Sequence, residues 1–291
     1  MPGVSLIGSS EEKEKIMSEL KVAYSGIEGS FASIAAGKIY PNEEFISCKS
    51  FDEAYAKVEN GECDVAVLPI ENSFAGEVGQ VMDLIYGGSL EFDNVYELSI
   101  SHCLLGTKNT KLENIRTVLS HPQALEQCHE FIEEHGLRTV PYENTARAAR
   151  QVSFGGDPEV GAIASKETAD LYGLKVLATD VNQSANNVTR FAVLSKHPKM
   201  KEDPECTSVM MFTVKNEAGG LAKAISKIGE HGFNMRVIRS RPEKKTNWTY
   251  YFYVEVEGDL ESAKGKEMLE DLKKQCQFVK IVGRYEPGIK I

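Results

Sequence analysis

Short apolar runs alternate with amphipathic stretches along the first two thirds of the chain. Val22–Tyr24, Phe45–Cys48 and Cys63–Ile70 read as strands, and the last is nearly continuous in apolar residues, as a strand buried on both faces should be. Between them, Gly26-Ile27-Glu28-Gly29-Ser30 opens a helix through Ala36. Ser50 with Glu53 three residues on forms a capping box for a helix reaching Glu59, and a further helix begins near Gly76. Val95–Leu105 reads as one long strand and Thr117–Leu119 as a short one, leading through Ser120 into a helix from Pro122 to His135. Arg138–Pro141 is a strand, Thr145–Val152 a helix, and Gly161–Ser165 a strand followed by a helix ending at Tyr172-Gly173. Lys175–Leu177 and Arg190–Leu194 are strands flanking a polar loop. Strands separated by helical patterns predict an α/β fold with largely parallel sheets.

The pattern then changes. Ser195–Glu205, rich in Lys, Pro and Asp, reads as a linker. Beyond it come a strand at Ser208–Lys215, a helix at Leu221–His231, strands at Arg236–Arg241 and Thr249–Glu257, a helix at Leu260–Gln275 and a strand at Phe278–Tyr285. That βαββαβ order is ferredoxin-like. At the other end, residues 1–20 form a polar extension with a short helix expected from Glu11 to Leu20.

With 291 residues, 42% of them hydrophobic and 26% charged, the chain suits a soluble protein of about two domains. Its net charge of −10 gives no global basic field for nucleic acid or an anionic membrane. No apolar run approaches the ~18 residues of a membrane span, and the start of the chain lacks the apolar core of a signal peptide. Cys48, Cys63, Cys103, Cys128, Cys206 and Cys276 show neither a Cys-x-x-Cys pair nor a His at zinc spacing. They read as free thiols of a cytoplasmic protein, and His102 beside Cys103 as a neighbour rather than a metal or catalytic pair.

Four polar clusters fall at strand ends, where open α/β sheets bind ligands. Glu71-Asn72-Ser73 follows the buried strand, and its amide and hydroxyl could bind a carboxylate at a helix start or simply cap the helix. Ser120-His121-Pro122-Gln123 and Asn144-Thr145-Ala146 carry the same two meanings. Asn186-Asn187-Val188-Thr189-Arg190-Phe191 differs, because a guanidinium entering an apolar strand needs an anionic partner, either a structural carboxylate or one on a ligand. No Walker-type phosphate loop is present.

Together these motifs resemble the prephenate dehydratase family from Lys21 onward. The resemblance rests on Gly26 to Phe31, Pro69-Ile70-Glu71-Asn72-Ser73, Ser120-His121-Pro122-Gln123-Ala124-Leu125, Thr145-Ala146 and Thr189-Arg190-Phe191. It implies a catalytic domain over 21–200, built as two lobes like a periplasmic binding protein with the active site between them. Lobe 1 would span about 21–100 and 188–200, lobe 2 about 105–180, with crossings at Val95–Leu105 and Val181–Asn187. The implied reaction removes water and carbon dioxide from prephenate to give phenylpyruvate for phenylalanine synthesis, with no metal or other cofactor. Thr189 would act at the leaving hydroxyl, Arg190 would clamp a carboxylate or fix the site, and Phe191 would form an apolar wall. Asn72, Ser73, Ser120, Gln123, Asn144 and Thr145 would supply neutral donors, while Glu71 orients its loop.

Residues 206–291 resemble an ACT regulatory domain, implying phenylalanine inhibition at an interface within a homodimer or homotetramer. The effector loop would be Asn216 to Leu221, including Ala218, Gly219, Gly220 and Leu221, followed by Ala222. Asn234, Met235, Ser240, Arg241 and Pro242 would complete the site. Ala218-Gly219-Gly220-Leu221 stands where the family often has Pro-Gly-Ala-Leu, and Arg239 replaces the glutamate of Glu-Ser-Arg-Pro. Arogenate dehydratase, the same chemistry on the aminated substrate, is the enzymatic alternative. A catalytically silent amino-acid sensor is another, which Thr189-Arg190-Phe191 disfavours. A solute-binding protein would need a signal peptide and no regulatory module. A fused chorismate mutase would need a helical segment far longer than residues 1–20.

Overall fold

A computed structural model describes residues 20–184, 186–198, 205–244 and 246–291. The helix expected before Leu20 lies outside them, as do residues 199–204 of the expected linker. The chain begins with β1 (Lys21–Ser25), α1 (Phe31–Ile39), β2 (Glu44–Cys48), α2 (Phe51–Glu59), β3 (Val65–Asn72), β4 (Gly76–Glu77), α3 (Gly79–Gly87) and β5 (Glu91–Ser99). β1 runs parallel to both β2 and β3. At the α2 start, Ser50 Oγ accepts from the Glu53 N–H at 3.2 Å, while the Glu53 carboxylate accepts from the Lys49 N–H at 2.8 Å. The expected box therefore forms one residue wider than its usual reciprocal bond. Gly76 pairs with the end of β3 rather than opening a helix. α3 starts at Gly79, where an added Cβ would stand 2.3 Å from the Arg241 guanidinium.

A second sheet follows. It comprises β6 (Cys103–Gly106), β7 (Thr117–Ser120), β8 (Arg138–Pro141), β9 (Val160–Ala164) and β10 (Lys175–Ala178) in the order β10-β6-β9-β7-β8. Its helices are α4 (Pro122–Gln127), α5 (His129–Glu134), α6 (Thr145–Gly155) and α7 (Lys166–Tyr172). The chain then returns as β11 (Val188–Ser195), antiparallel between β3 and β5.

Two elements expected as continuous are broken. Val95–Leu105 divides into β5 and β6 because its halves serve different sheets. The break at residues 100–102 bonds to the returning segment: Ile100 N–H to Asn187 O at 2.7 Å, Val181 N–H to His102 O at 2.9 Å, and His102 N–H to Asn182 Oδ1 at 2.9 Å. The helix expected over Pro122–His135 divides at buried Cys128, whose φ of −113° and ψ of 16° leave the helical region.

The last part is β12 (Thr207–Val214), α8 (Gly220–Glu230), β13 (Met235–Pro242), β14 (Tyr250–Glu257), α9 (Ala263–Lys273) and β15 (Cys276–Tyr285), with β16 (Ile289–Lys290) after it. Its strands lie in the order β13-β14-β12-β15, antiparallel throughout, which is the ferredoxin-like arrangement. One sheet face carries the helices, with Met210, Phe212, Val254, Ile228 and Met268 in one core. The opposite face, through Val209, Met211, Tyr251 and Tyr253, joins the core of lobe 1 around Tyr55, Met82 and Ile85.

The sequence pattern did not anticipate that the two units share a sheet. Gly283 of β15 pairs in parallel with Phe92 of β5, and β16 pairs with β5 at Tyr96 and Glu97, giving one sheet of eleven strands. Gly283 has φ of +125°, and a Cβ there would meet Phe92 O at 2.9 Å, so the seam requires glycine. Among the described residues, no helix is long and apolar enough to cross a membrane. Five of the six cysteines are buried, and Cys276 is half-buried.

Candidate active site

A cavity of about 500 Å³ lies between the two sheets. Its lobe 1 wall comes from the β1–α1 turn (Gly26, Ile27, Ser30, Phe31), the end of β2 and the end of β3. Its lobe 2 wall comes from the starts of α4 and α6, and β11 contributes Thr189 and Phe191. The helix starts are well formed. Ser30 Oγ accepts from Ser33 N–H, His121 Nδ1 from Gln123 N–H, and Asn144 Oδ1 from Arg147 N–H. α1, α4 and α6 thus begin at the cavity, and their positive ends favour bound anions. Lys49 and Arg147, both exposed, stand at its rim.

Thr189 and Asn72 form its polar centre. They are directly opposed on β11 and β3, and both are 8% exposed. Asn72 Oδ1 accepts from the N–H groups of Phe74 and Ala75, each at 3.0 Å, and from Gln123 Nε2 at 3.4 Å. That orients the Asn72 amide nitrogen, which donates to Asn187 Oδ1 at 2.8 Å and to Thr189 Oγ1 at 3.0 Å. Thr189 is thereby an acceptor in this contact, which leaves its own proton free to be donated, and its side chain lines the cavity.

A buried chain continues behind this pair. Asn187 Nδ2 donates to Gln127 Oε1 at 2.9 Å, and His102 Nε2 lies 3.2 Å from the same oxygen. Because that oxygen only accepts, Nε2 carries the imidazole proton. Burial pushes the His102 imidazole down to about 4, only partly opposed by the Gln127 bond, so the ring is neutral. Burial lowers His121 as well. Composition and spacing did not pair Gln127 with Asn187, which meet because the end of α4 bonds to the returning segment.

The other expected residues divide. Gln123, Asn144, Thr145 and Phe191 line the cavity. Ser120 is fully buried and donates to Ile163 O at 2.6 Å, tying β7 to β9. Ser73 donates to Asn186 O and accepts from Val188 N–H, closing β3 onto the returning segment. Arg190 alternates to the sheet face opposite Thr189. There it pairs with Glu71 at 3.0 Å and Glu255 at 3.1 Å, and it contacts the Tyr285 hydroxyl. Its anionic partner is therefore structural. Burial opposes the Arg190 charge, but Glu255, Tyr285 and Tyr253 together outweigh it and raise the pKa.

In the C-terminal unit, Arg241 is engaged by Asp83 at 3.1 Å, by Glu77 and by the Tyr251 hydroxyl at 3.1 Å, so it binds lobe 1 rather than the loop before α8. Ser240 and Pro242 are exposed between and beyond these arginine contacts. Gly219 caps α8 with φ of 79° and no side-chain bond, and Gly220, Leu221 and Ala222 form its first turn. Ala218 precedes that cap, while Asn234 and Met235 lead into β13. Among the described residues, no group of three His, Cys, Asp or Glu side chains is placed to hold a metal ion.

The family profile described as prephenate dehydratase matches residues 22–199. The chain is 34% identical over 283 residues to the chloroplastic arogenate dehydratase/prephenate dehydratase 1 of Arabidopsis thaliana, covering 92% of this chain and 72% of that one. It is similar to the solved structure of prephenate dehydratase in complex with L-Phe from Arthrobacter aurescens, with a TM-score of 0.85 and 25% identity over 93% of this chain and 92% of that one. It is also similar to GqqA, described as a novel type of quorum quenching acylase, with a TM-score of 0.84 and 30% identity over 92% of this chain and 98% of that one.

Proposed function

Because this chain belongs to the prephenate dehydratase family, we propose that its cavity binds prephenate and expels water and carbon dioxide to leave phenylpyruvate. It is a carbon–oxygen lyase of phenylalanine biosynthesis. The observation that carries the reading is the hydrogen-bonded state of Thr189, whose oxygen accepts from Asn72 Nδ2 on the cavity wall, so that its own proton can be given to a ligand there.

In the reaction the ring C–CO₂⁻ bond breaks, its electron pair aromatises the ring, and the C–O bond to the hydroxyl breaks on the far side. The departing oxygen takes one proton and leaves as water. Thr189 donates a hydrogen bond to that oxygen as charge builds on it. The proton itself arrives through water, since a threonine hydroxyl is too weak an acid to supply it alone. The α6 start with Arg147 at the rim holds the pyruvyl carboxylate. The ring carboxylate faces the neutral interior of amides and phenyl rings. A cation there would stabilise the bound carboxylate more than the transition state that sheds its charge.

The catalytic unit is taken as residues 21–200 and the ACT regulatory unit as 206–291. Phenylalanine is its effector, with the effector carboxylate meeting the start of α8, where the Gly219 cap offers no side-chain bond. The active form is a homodimer or homotetramer. The reading also takes the enzyme as cytoplasmic, with cysteines that serve as small buried hydrophobes. The test is phenylpyruvate release from prephenate, with and without phenylalanine, beside arogenate and an acyl amide. Prephenate turnover suppressed by phenylalanine supports both units of the reading. Arogenate turnover alone changes the substrate, and acyl-amide hydrolysis alone replaces the reading with acylase chemistry.

A further inference from the structure

Two consecutive cross-strand pairs join β3 to β11. Thr189 opposes Asn72 on the cavity face, and Arg190 opposes Glu71 on the other. The register shifts between Arg190 and Phe191, so the bulge separates these two pairs from the rest of the β3–β11 ladder and leaves them at its free end. A further constraint on them comes from the C-terminal unit. Glu255 of β14, 1% exposed, takes both Arg190 nitrogens at 3.1 and 3.3 Å and is itself held by the hydroxyls of Tyr253 at 2.7 Å and Tyr285 at 2.8 Å. Arg239 of β13 binds the Glu71 oxygen that Arg190 leaves open.

We infer that Glu255 and Arg239 are positioning residues for the reaction: side chains of the C-terminal unit set the alignment of Arg190 with Glu71, and through the adjacent backbone that of Thr189 with Asn72. The inference rests on the proposed dehydratase chemistry and adds to it a dependence on a second unit. Arg239, a departure from the family's motif, here acquires a partner in the Glu71 of another motif. The Thr189 proton must meet a departing oxygen within hydrogen-bond geometry, and a displacement of ~1 Å can cost ~100-fold in rate.

The test uses the full chain with Glu255→Gln, Arg239→Met and Arg239→Lys, reading kcat and KM for prephenate and amide hydrogen exchange over residues 70–76 and 187–193. Glu255→Gln and Arg239→Met are expected to lower kcat about tenfold or more. KM should move less than about threefold, with faster exchange in both segments, and Arg239→Lys should recover most of kcat. A purely structural seam would lower the melting temperature without separating kcat from KM in the folded enzyme. Unchanged kcat with unchanged exchange overturns the inference. If the parent chain does not turn over prephenate, the proposed function fails on its own, and exchange decides this point: faster exchange in the two segments supports the coupling, and no change overturns it.

Discussion

Asn72 donates to Thr189 at 3.0 Å because Asn72's own oxygen is already committed to two backbone N–H groups. The amide cannot turn over without losing those bonds, so the Thr189 proton stays available to the cavity. Thr189→Ala is expected to lower kcat by about 100-fold or more while KM stays within a few-fold. Thr189→Ser, which keeps the hydroxyl, should retain far more activity. Steady-state phenylpyruvate formation checks both, and an Ala variant close to the parent rate would remove Thr189 from the chemistry.

Acid should weaken the fold through its buried imidazoles. His102 sits at about 4 in the folded chain against 6.5 for a free histidine, so the unfolded chain takes up a proton first as pH falls. Its stabilising contribution is complete above ~6.5, declines on the way to ~4 and totals about 3 kcal/mol. His121 acts in the same direction. Urea midpoints at pH 7, 5.5 and 4.5 should fall in that order, and His102→Gln should flatten the decline. An equally steep decline in that variant would assign it to other groups.

Gly283→Ala should cost at least about 1–3 kcal/mol from its positive φ alone. The added contact with the Phe92 backbone makes the seam between β15 and β5 the first place to open. Chemical denaturation gives the cost, and faster amide exchange at Phe92 would locate it. A variant as stable as the parent would show that the seam adjusts.

Neighbours in β13 should behave differently. Arg241→Ala leaves Asp83 and Glu77 without their shared partner and should destabilise the chain by about 3 kcal/mol. Ser240→Ala, at an exposed position, should change stability by no more than ~0.5 kcal/mol while weakening inhibition by phenylalanine. Melting curves and inhibition curves of the two variants separate these effects. Equal stability losses would contradict the alternation of the strand.

The contrast between Arg190 and Thr189 shows how far the chain could be read without coordinates. Alternating periodicity located β11 and the ferredoxin-like order, and the capping residues Ser50 and Asn144 marked helix starts that the structure contains. Periodicity also assigns neighbouring strand residues to opposite faces, but it does not say what each face meets. Arg190, Glu71 and Arg241 carry charges whose partners lie 65 to 168 residues away, so only tertiary contact reveals that they join the two units. The pairing of Gln127 with Asn187 was illegible for the same reason, the two being 60 residues apart in sequence and 2.9 Å apart in space. The break in Val95–Leu105 was hidden because both halves are apolar, and nothing local marks the point where a chain leaves one sheet for another.

The common sheet has a consequence for what a cut chain would do. Lobe 1 and the C-terminal unit are not two beads on a string, because strand pairing, an apolar core and buried ion pairs join them side by side. A protease site placed between residues 198 and 205 would sever the peptide without parting the pieces. The nicked protein should travel as one particle in gel filtration, come apart only in denaturant, and keep working, since the covalent thread is the least of what holds it together.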